Sequence, residues 1–424
     1  MLESIPLADH GRCANTIEII SERYMNESDQ NYVVTGEQQT PAWGAVVSMM
    51  LGVLALVTAE FLPAGLLTPI AHDLGIKVGL AGQAVTTTAA VALVTCLLVA
   101  TLTRRFDRRT VLLSFSVLLI ASDILVAVAP DLPFLIFARV LLGIAVGGFW
   151  TMSVAMVMRL VPDALIPRAL SIVLSGVAAA TIFAVPFGTY VGAIVGWRVI
   201  FRMAAGLGAL ALVVQFATLP SMEPRGEARL RTLVEVFMRP RVGLGMAAFI
   251  FVFSGHFAFF TYIRPFLETV TGVGVDTVSA ILLGFGIANY LGTFLGGAAA
   301  GRNLWLTLAV TPLAMGISGL VLASLGSAPW ADAVLIVLWG LAVGSVPVAW
   351  STWTIRAAPD EAESATGLTT AAGQCAIAMG AAGGGAIFDA AGATTVFTTS
   401  GIVLLLATLL ILFGLRPRAV AAPT

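Results

Sequence analysis

Charge is scarce in this chain. Asp, Glu, Lys and Arg together make up 11% of its 424 residues, and one lysine, Lys77, stands beside 21 arginines. A soluble domain carries about 25% charged residues, so this composition excludes a soluble fold. Cysteine is also sparse. Cys13, Cys96 and Cys375 are odd in number and far apart, which excludes a disulfide framework and a metal-ligand spacing. Three scattered histidines, no HExxH string and no long soluble loop argue against a membrane-embedded enzyme. No repeated polar ring or filter loop suggests a channel. The first residues lack the charged-then-apolar pattern of a signal peptide. Residues 1–42 carry seven acidic side chains and two arginines, and read as a disordered acidic cytoplasmic tail.

What is abundant is apolar: 58% of residues, with a mean hydropathy of +0.98. A helix needs about 20 apolar residues to cross a bilayer. Twelve such segments fit: 43–70, 79–102, 110–129, 133–158, 169–194, 200–219, 242–263, 275–299, 304–325, 331–353, 366–388 and 395–415. The connections are short except for an arginine-rich linker at 220–241, and residues 416–424 form a short cytoplasmic tail. With both termini inside, 17 of the 22 Lys and Arg fall on the cytoplasmic side, four (Lys77, Arg198, Arg202, Arg264) fall outside, and Arg139 lies in the membrane.

The halves repeat. A shift of 197 residues superposes Gly143, Ala145, Val146, Gly147, Arg159, Pro162 and Asp163 on Gly340, Ala342, Val343, Gly344, Arg356, Pro359 and Asp360. The fold expected is an all-α integral membrane protein of twelve transmembrane helices. They fall into two pseudo-symmetric six-helix bundles, 43–219 and 242–415, with a substrate site between them. The same shift puts Glu60 on Phe257, next to His256, so helices one and seven carry polar groups at nearly equal depth.

Several strings carry a family resemblance. ARVLLGIAVGGFW (138–150) resembles a fourth-helix motif with a membrane arginine. VPFGTYVG (185–192) resembles a fifth-helix antiporter motif, with Val185 in place of its glycine. RRFDRR (104–109) occupies the loop of a Gly-x-x-x-Asp-Arg-x-Gly-Arg pattern, but Ala100, Arg104 and Asp107 depart from it, which puts the usual gating salt bridge there in doubt. Together these strings resemble the major facilitator superfamily, in its drug:proton antiporter-1 group. AEFLPAGLLTPIAHDLGI (59–76), GGFWTMS (147–153), RLVP (159–162), GHFAFFTYIRPFL (255–267) and VPVAWSTW (346–353) resemble its nucleoside-exporting branch, from about Trp43 to the last helix. The resemblance implies export of inosine- and guanosine-like nucleosides in exchange for protons across the bacterial inner membrane. The proton gradient would be the driving force and no cofactor would be needed. A sugar (arabinose-like) or multidrug exporter of the same superfamily is the alternative. The partners expected are a small-molecule substrate, protons and lipid, with no nucleic acid, and the chain is expected to act as a monomer. Relatives begin close to the first helix, so translation is expected to start at Met25.

The candidate working residues follow from what is costly in a bilayer. Glu60 interrupts an otherwise uncharged run, where an ionised carboxylate costs on the order of 3 kcal/mol. It is the first candidate for carrying a proton and competing with substrate; otherwise it makes a structural hydrogen bond. Asp123 is a second proton site or a partner of Arg139, which stays charged and must be paired. The resemblance adds a role in proton transfer for Arg139; a structural clamp is the other reading. His256 binds substrate, relays protons, or is a satisfied core residue. Phe149, Trp150, Phe257, Tyr262 and Trp350 offer ring faces on which a purine stacks, or are packing. Asn289 and Gln374 match purine edges and ribose hydroxyls, or tie helices together.

Overall fold

A backbone in lipid must satisfy its own hydrogen bonds, and the helix does so within one segment. The computed structural model describes residues 41–223, 235–326 and 328–416, and among them it contains helices and no strand. The acidic tail before residue 41, Met25, most of the linker and the last residues lie outside the described residues. Residues from Ala42 onward form one compact unit.

Ten of its helices are long and apolar enough to cross a membrane. They are α1 (Trp43–Asp73), α2 (Gln83–Leu102), α3 (Arg108–Ala127), α4 (Leu132–Leu160), α5 (Ile166–Val195), α6 (Trp197–Thr218), α7 (Pro240–Thr261), α8 (Val275–Leu325), α9 (Pro329–Ala357) and α10 (Ala362–Gly414). A short helix, Val78–Ala81, precedes α2. The apolar runs locate these helices, but the helices overrun them, because caps and turns set the ends. Asp107 accepts the Thr110 N–H and Asp131 the Phe134 N–H, starting α3 and α4 before their apolar runs begin.

Helices α8 and α10 hold 51 and 53 residues. At 1.5 Å per residue each would be about 75 Å long if straight, against a hydrocarbon core of about 30 Å. Each is broken instead. Asn303 leaves helical geometry at φ −152°, and its side-chain oxygen accepts the Leu306 N–H at 3.0 Å, capping a second limb. Gly392 turns at φ 81°, a left-handed conformation that glycine takes without steric cost. Both breaks lie between apolar segments delimited in the sequence.

The repeat has a packing counterpart. On α4, Gly143 and Gly147 let the helix press on the carbonyls of Thr88 and Ala92 in α2. On α9, Gly340 and Gly344 press on the carbonyls of Phe285 and Asn289 in α8. The shift of 197 residues relates the glycines and also their partners. Small residues at these crossings let two backbones meet without a side chain between them. The connections after α4 and α9 match as well: each is a 3-10 turn, Asp163–Leu165 and Pro359–Glu361.

The RRFDRR loop binds the first residues of the linker. Asp107 accepts from the Ser221 hydroxyl and the Met222 N–H, both at 2.7 Å, while the Arg108 N–H donates to the Met222 carbonyl at 2.9 Å. Partial burial would raise the Asp107 carboxyl. The hydrogen bonds from Ser221, Thr110 and Met222 outweigh it and hold the group below the usual carboxylate range. In the other half Arg239 grips Asp360 through two bonds of 2.8 and 2.7 Å and holds that carboxyl low too.

A carboxyl held low in the folded state stabilises at neutral pH, and the effect is lost as pH falls through its folded value. Asp107→Ala should therefore cost roughly 1 kcal/mol, the ordinary worth of a helix cap. In detergent at pH 7 the unfolding midpoint should fall by a few degrees, and the gap to the unaltered protein should close as the buffer is taken well below pH 4. A gap that persists in acid would assign the effect to lost packing.

Candidate functional site

Helix α1 contains two prolines, Pro63 and Pro69. Each lacks an N–H and frees the carbonyl four residues earlier, at Ala59 and Gly65. A buried carbonyl needs a donor, and each gets one from an arginine. Arg139 of α4 donates through Nη1 to the Ala59 carbonyl at 3.0 Å and through Nε to the Ala84 carbonyl of α2 at 3.4 Å. Arg264, which follows α7 in the other half, donates through Nη1 to the Gly65 carbonyl, and the Thr189 hydroxyl of α5 donates to the same oxygen at 3.0 Å.

The first of these bonds sets the guanidinium one residue away from Glu60. Glu60 is 6% exposed, with Oε1 buried and without a hydrogen-bond partner. It lies in electrostatic range of Arg139, within reach of the Gln374 carboxamide of α10, and near Cys96 of α2. Asp123 of α3 is fully buried, with neither carboxyl oxygen partnered, and its charged neighbour is Arg139. Nη2 of Arg139 is buried and unpartnered too. The structure thus brings together Glu60, Arg139, Asp123 and Gln374, drawn from α1, α4, α3 and α10. Gln374 reaches the group from the opposite half.

His256 is turned into its own half. Its Nδ1 accepts from the Trp339 indole N–H at 3.2 Å, which leaves the ring proton on Nε2. The ring packs on Phe260 and Phe285, at centroid distances of 5.6 and 6.4 Å, and those two rings also pack on each other at 5.6 Å. It is a packed and hydrogen-bonded residue, one side chain removed from the seam. The seam itself is aromatic. Phe249, Phe253, Phe257 and Phe260 form a stripe along α7, and Phe61 of α1 meets it across the halves at 6.2 Å from Phe257 and 5.5 Å from Phe260.

The other predicted residues take varied places. Trp350 is buried behind this stripe, edge-on to Phe249 at 5.3 Å, while Trp353 beside it is half-buried. Phe149 is buried against Gly52 within the first half, and Trp150 next to it is half-buried. Asn289 is half-buried at the α8–α9 crossing, where its backbone meets Gly344. Tyr262 is fully buried, its hydroxyl donating to the Ala381 carbonyl at 3.0 Å beside Gly82 and Gly384, away from Glu60.

Sequence reasoning missed Phe61, Phe253 and Arg264. The spacing of four between Phe249, Phe253 and Phe257 signalled the stripe. Pro69, four residues after Gly65, signalled a carbonyl in need of a donor.

Tyr262 and Arg264 belong to a seam where the halves close. There the Gly79 N–H, in the short helix before α2, donates to Asp389 Oδ1 of α10 at 2.8 Å. Gly79 and Gly385 meet almost backbone to backbone. Arg264 is 5% exposed, so the charge that the arginine count puts on the outer side is buried in this seam. Its Nε also donates to Glu268 at 2.7 Å.

Arg264→Met should loosen this end, as should Pro69→Ala, which gives the Gly65 carbonyl a donor in its own helix. Spin labels at the exposed Leu80 and Thr277, one in each half, should then show a longer-distance population in a background free of native cysteines. An unchanged distance distribution in both variants would show that this contact does not hold the halves together.

The Major Facilitator Superfamily profile matches residues 49–381. The chain is 42% identical over 349 residues to the purine ribonucleoside efflux pump NepI of Salmonella enteritidis, covering 82% of this chain and 88% of the relative. The protein of the same name from Salmonella typhimurium matches to the same extent. Among solved structures, a D-xylose–proton symporter superposes with a TM-score of 0.72 at 17% identity, over 88% of this chain and 98% of that one. A bacterial homologue of the human lysosomal transporter Spinster, in an inward-facing and unoccupied conformation, superposes with a TM-score of 0.69 at 15% identity, over 87% and 96%. At these identities the structures speak for the fold alone.

Proposed function

Because this chain belongs to the major facilitator superfamily, and is therefore a multi-pass membrane transporter and not an enzyme, we propose that it exports purine ribonucleosides such as inosine and guanosine in exchange for protons. The observation that carries the substrate class is the 42% identity, over most of both chains, to purine ribonucleoside efflux pumps. The coupling rests on the buried group around Glu60. A carboxyl that is hidden, faces a fixed guanidinium and is reached by a carboxamide from the other half suits a group that holds a proton in one state and releases it in another.

The cycle is alternating access. The chain crosses the bacterial inner membrane twelve times, the breaks at Asn303 and Gly392 dividing α8 and α10 into two crossings each. The halves 43–219 and 242–415 rock about the seam, and the arginine distribution puts both termini in the cytoplasm. The seam at Gly79, Tyr262 and Arg264 is then the outer gate, closed in this state. Substrate enters from the cytoplasm between α1 and α7, where Phe61 and Phe253 offer ring faces and Gln374 a donor and acceptor pair. The halves rock, the gate parts, substrate leaves outward, and a proton arriving at Glu60 resets the cavity. Protons are the sole driving force, no cofactor takes part, and one chain suffices.

Everted vesicles carrying the protein, energised with an imposed pH step, test this reading. Labelled inosine should accumulate. Guanosine should compete, while uridine, arabinose and a cationic dye should compete weakly or not at all. Competition by arabinose alone, or by the dye alone, would assign the chain to sugar or multidrug export instead. Glu60→Gln should abolish pH-driven accumulation while leaving the amount of protein in the membrane unchanged. Normal pH-driven uptake by that variant would remove Glu60 from the coupling.

A further inference from the structure

Asp123 is a buried ionisable group that the cycle above does not use, and its setting is hard to explain as packing. It is fully buried, and neither carboxyl oxygen has a hydrogen-bond partner. Arg139 is the charged group that faces it, and Arg139 faces Glu60 as well. The guanidinium is not free to choose its position. Nε is held by the Ala84 carbonyl and Nη1 by the Ala59 carbonyl, which Pro63 has freed. Nη2 alone is left, buried and without a partner. Two carboxyls therefore share the charge of one fixed cation.

The charge balance is unequal. With both carboxyls ionised the group carries one net negative charge in a low-dielectric interior, and with one proton between them it carries none. Two buried carboxyls that share one cation are coupled through it, so the proton affinity of each depends on the other. Around Glu60 the groups that interact with it besides Arg139 are Gln374 of α10 and Cys96 of α2, and across the seam α7 presents Phe257 and Phe260 to the neighbouring Phe61. Around Asp123, Arg139 of α4 is the charged neighbour; Gln215 of α6, which packs on α3, is engaged by Ser116 and by the Ser48 carbonyl.

We propose that Asp123 is a positioning residue for proton coupling, competing with Glu60 for the single charge of Arg139 and so setting the pH at which Glu60 exchanges its proton. When Glu60 is protonated, the fixed charge of Arg139 is left to ionised Asp123. When Glu60 ionises, the two carboxylates share that one charge and Asp123 becomes the more readily protonated of the two. The inference deepens the proton-coupled reading of this site and rests on it.

The test reads protonation directly and needs no nucleoside. Infrared difference spectra of the purified protein are recorded against pH, and the Glu60 carboxyl band is identified by its loss in Glu60→Gln. In Asp123→Asn, Arg139 is left to Glu60 alone, and the band midpoint should move to lower pH by about one unit, tenfold in proton affinity. In Asp123→Glu, which keeps the charge, the midpoint should return toward that of the unaltered protein. A Glu60 midpoint that does not move in Asp123→Asn overturns the proposal. Should Asp123→Asn fail to fold, the reciprocal measurement decides. In Glu60→Gln grown with carboxyl-13C aspartate, one aspartate band should titrate at lower pH than it does with Glu60 present, and the absence of any such shift overturns the proposal. Failure of the export reading looks different: coupled bands would be seen in protein that moves no inosine in the vesicle assay.

Discussion

The structure depends on two carbonyl groups that α1 cannot satisfy by itself. Pro63 and Pro69 deny N–H donors to Ala59 and Gly65, and a backbone oxygen deprived of its donor inside a membrane costs several kcal/mol, as a rough figure. Both oxygens are served by arginines, the side chains that a bilayer tolerates least. Each defect therefore answers the other: a cation that needs acceptors meets an acceptor that needs a donor. The guanidinium of Arg139 is thereby fixed beside Glu60, and that of Arg264 is drawn across from the second half. The positions of the charged core and of the seam both follow from proline placement in one helix.

Around that helix, packing is set by small residues and chemistry by a few large ones. The glycine pairs on α4 and α9 bring backbones into contact and leave no room for side chains at those crossings. The seam near Glu60 is lined from α7 by a row of phenylalanines, joined across the halves by Phe61. Polar reach between the halves at this depth comes from Gln374. A charged core with apolar surroundings strengthens every electrostatic interaction inside it, so one buried cation can govern two carboxyls.

Much of this was legible in the sequence. The apolar runs located the helices, and the runs 275–299 and 304–325 foresaw the break at Asn303 inside α8, as 366–388 and 395–415 foresaw the one at Gly392 inside α10. The helix ends were less legible, because the Asp107 cap starts α3 at Arg108 and Arg109, which hydropathy counts as loop. In the site, burial of Glu60, Asp123 and Arg139 follows from their place in apolar runs. Which carbonyls hold Arg139, and that Gln374 reaches Glu60, depend on how helices cross, which no local pattern encodes. Tyr262 and His256 illustrate the limit. Both look like cavity residues in the string GHFAFFTYIRPFL, yet one hydrogen-bonds Ala381 at the seam and the other Trp339 in its own half. Helix phase separates His256 from Phe257, and the end of α7 at Thr261 separates Tyr262 from it.

The Gly65 oxygen accepts from two donors, the Thr189 hydroxyl within its own half and Arg264 from the other. A carbonyl with a tenant on each side is never left vacant. If the arginine withdraws, the threonine stays, and the arginine retains Glu268 within its own half. Parting the halves at this point therefore strands neither a bare dipole nor a lone cation. A junction of this kind can be undone with both partners still satisfied, which is what the proposed rocking asks of it.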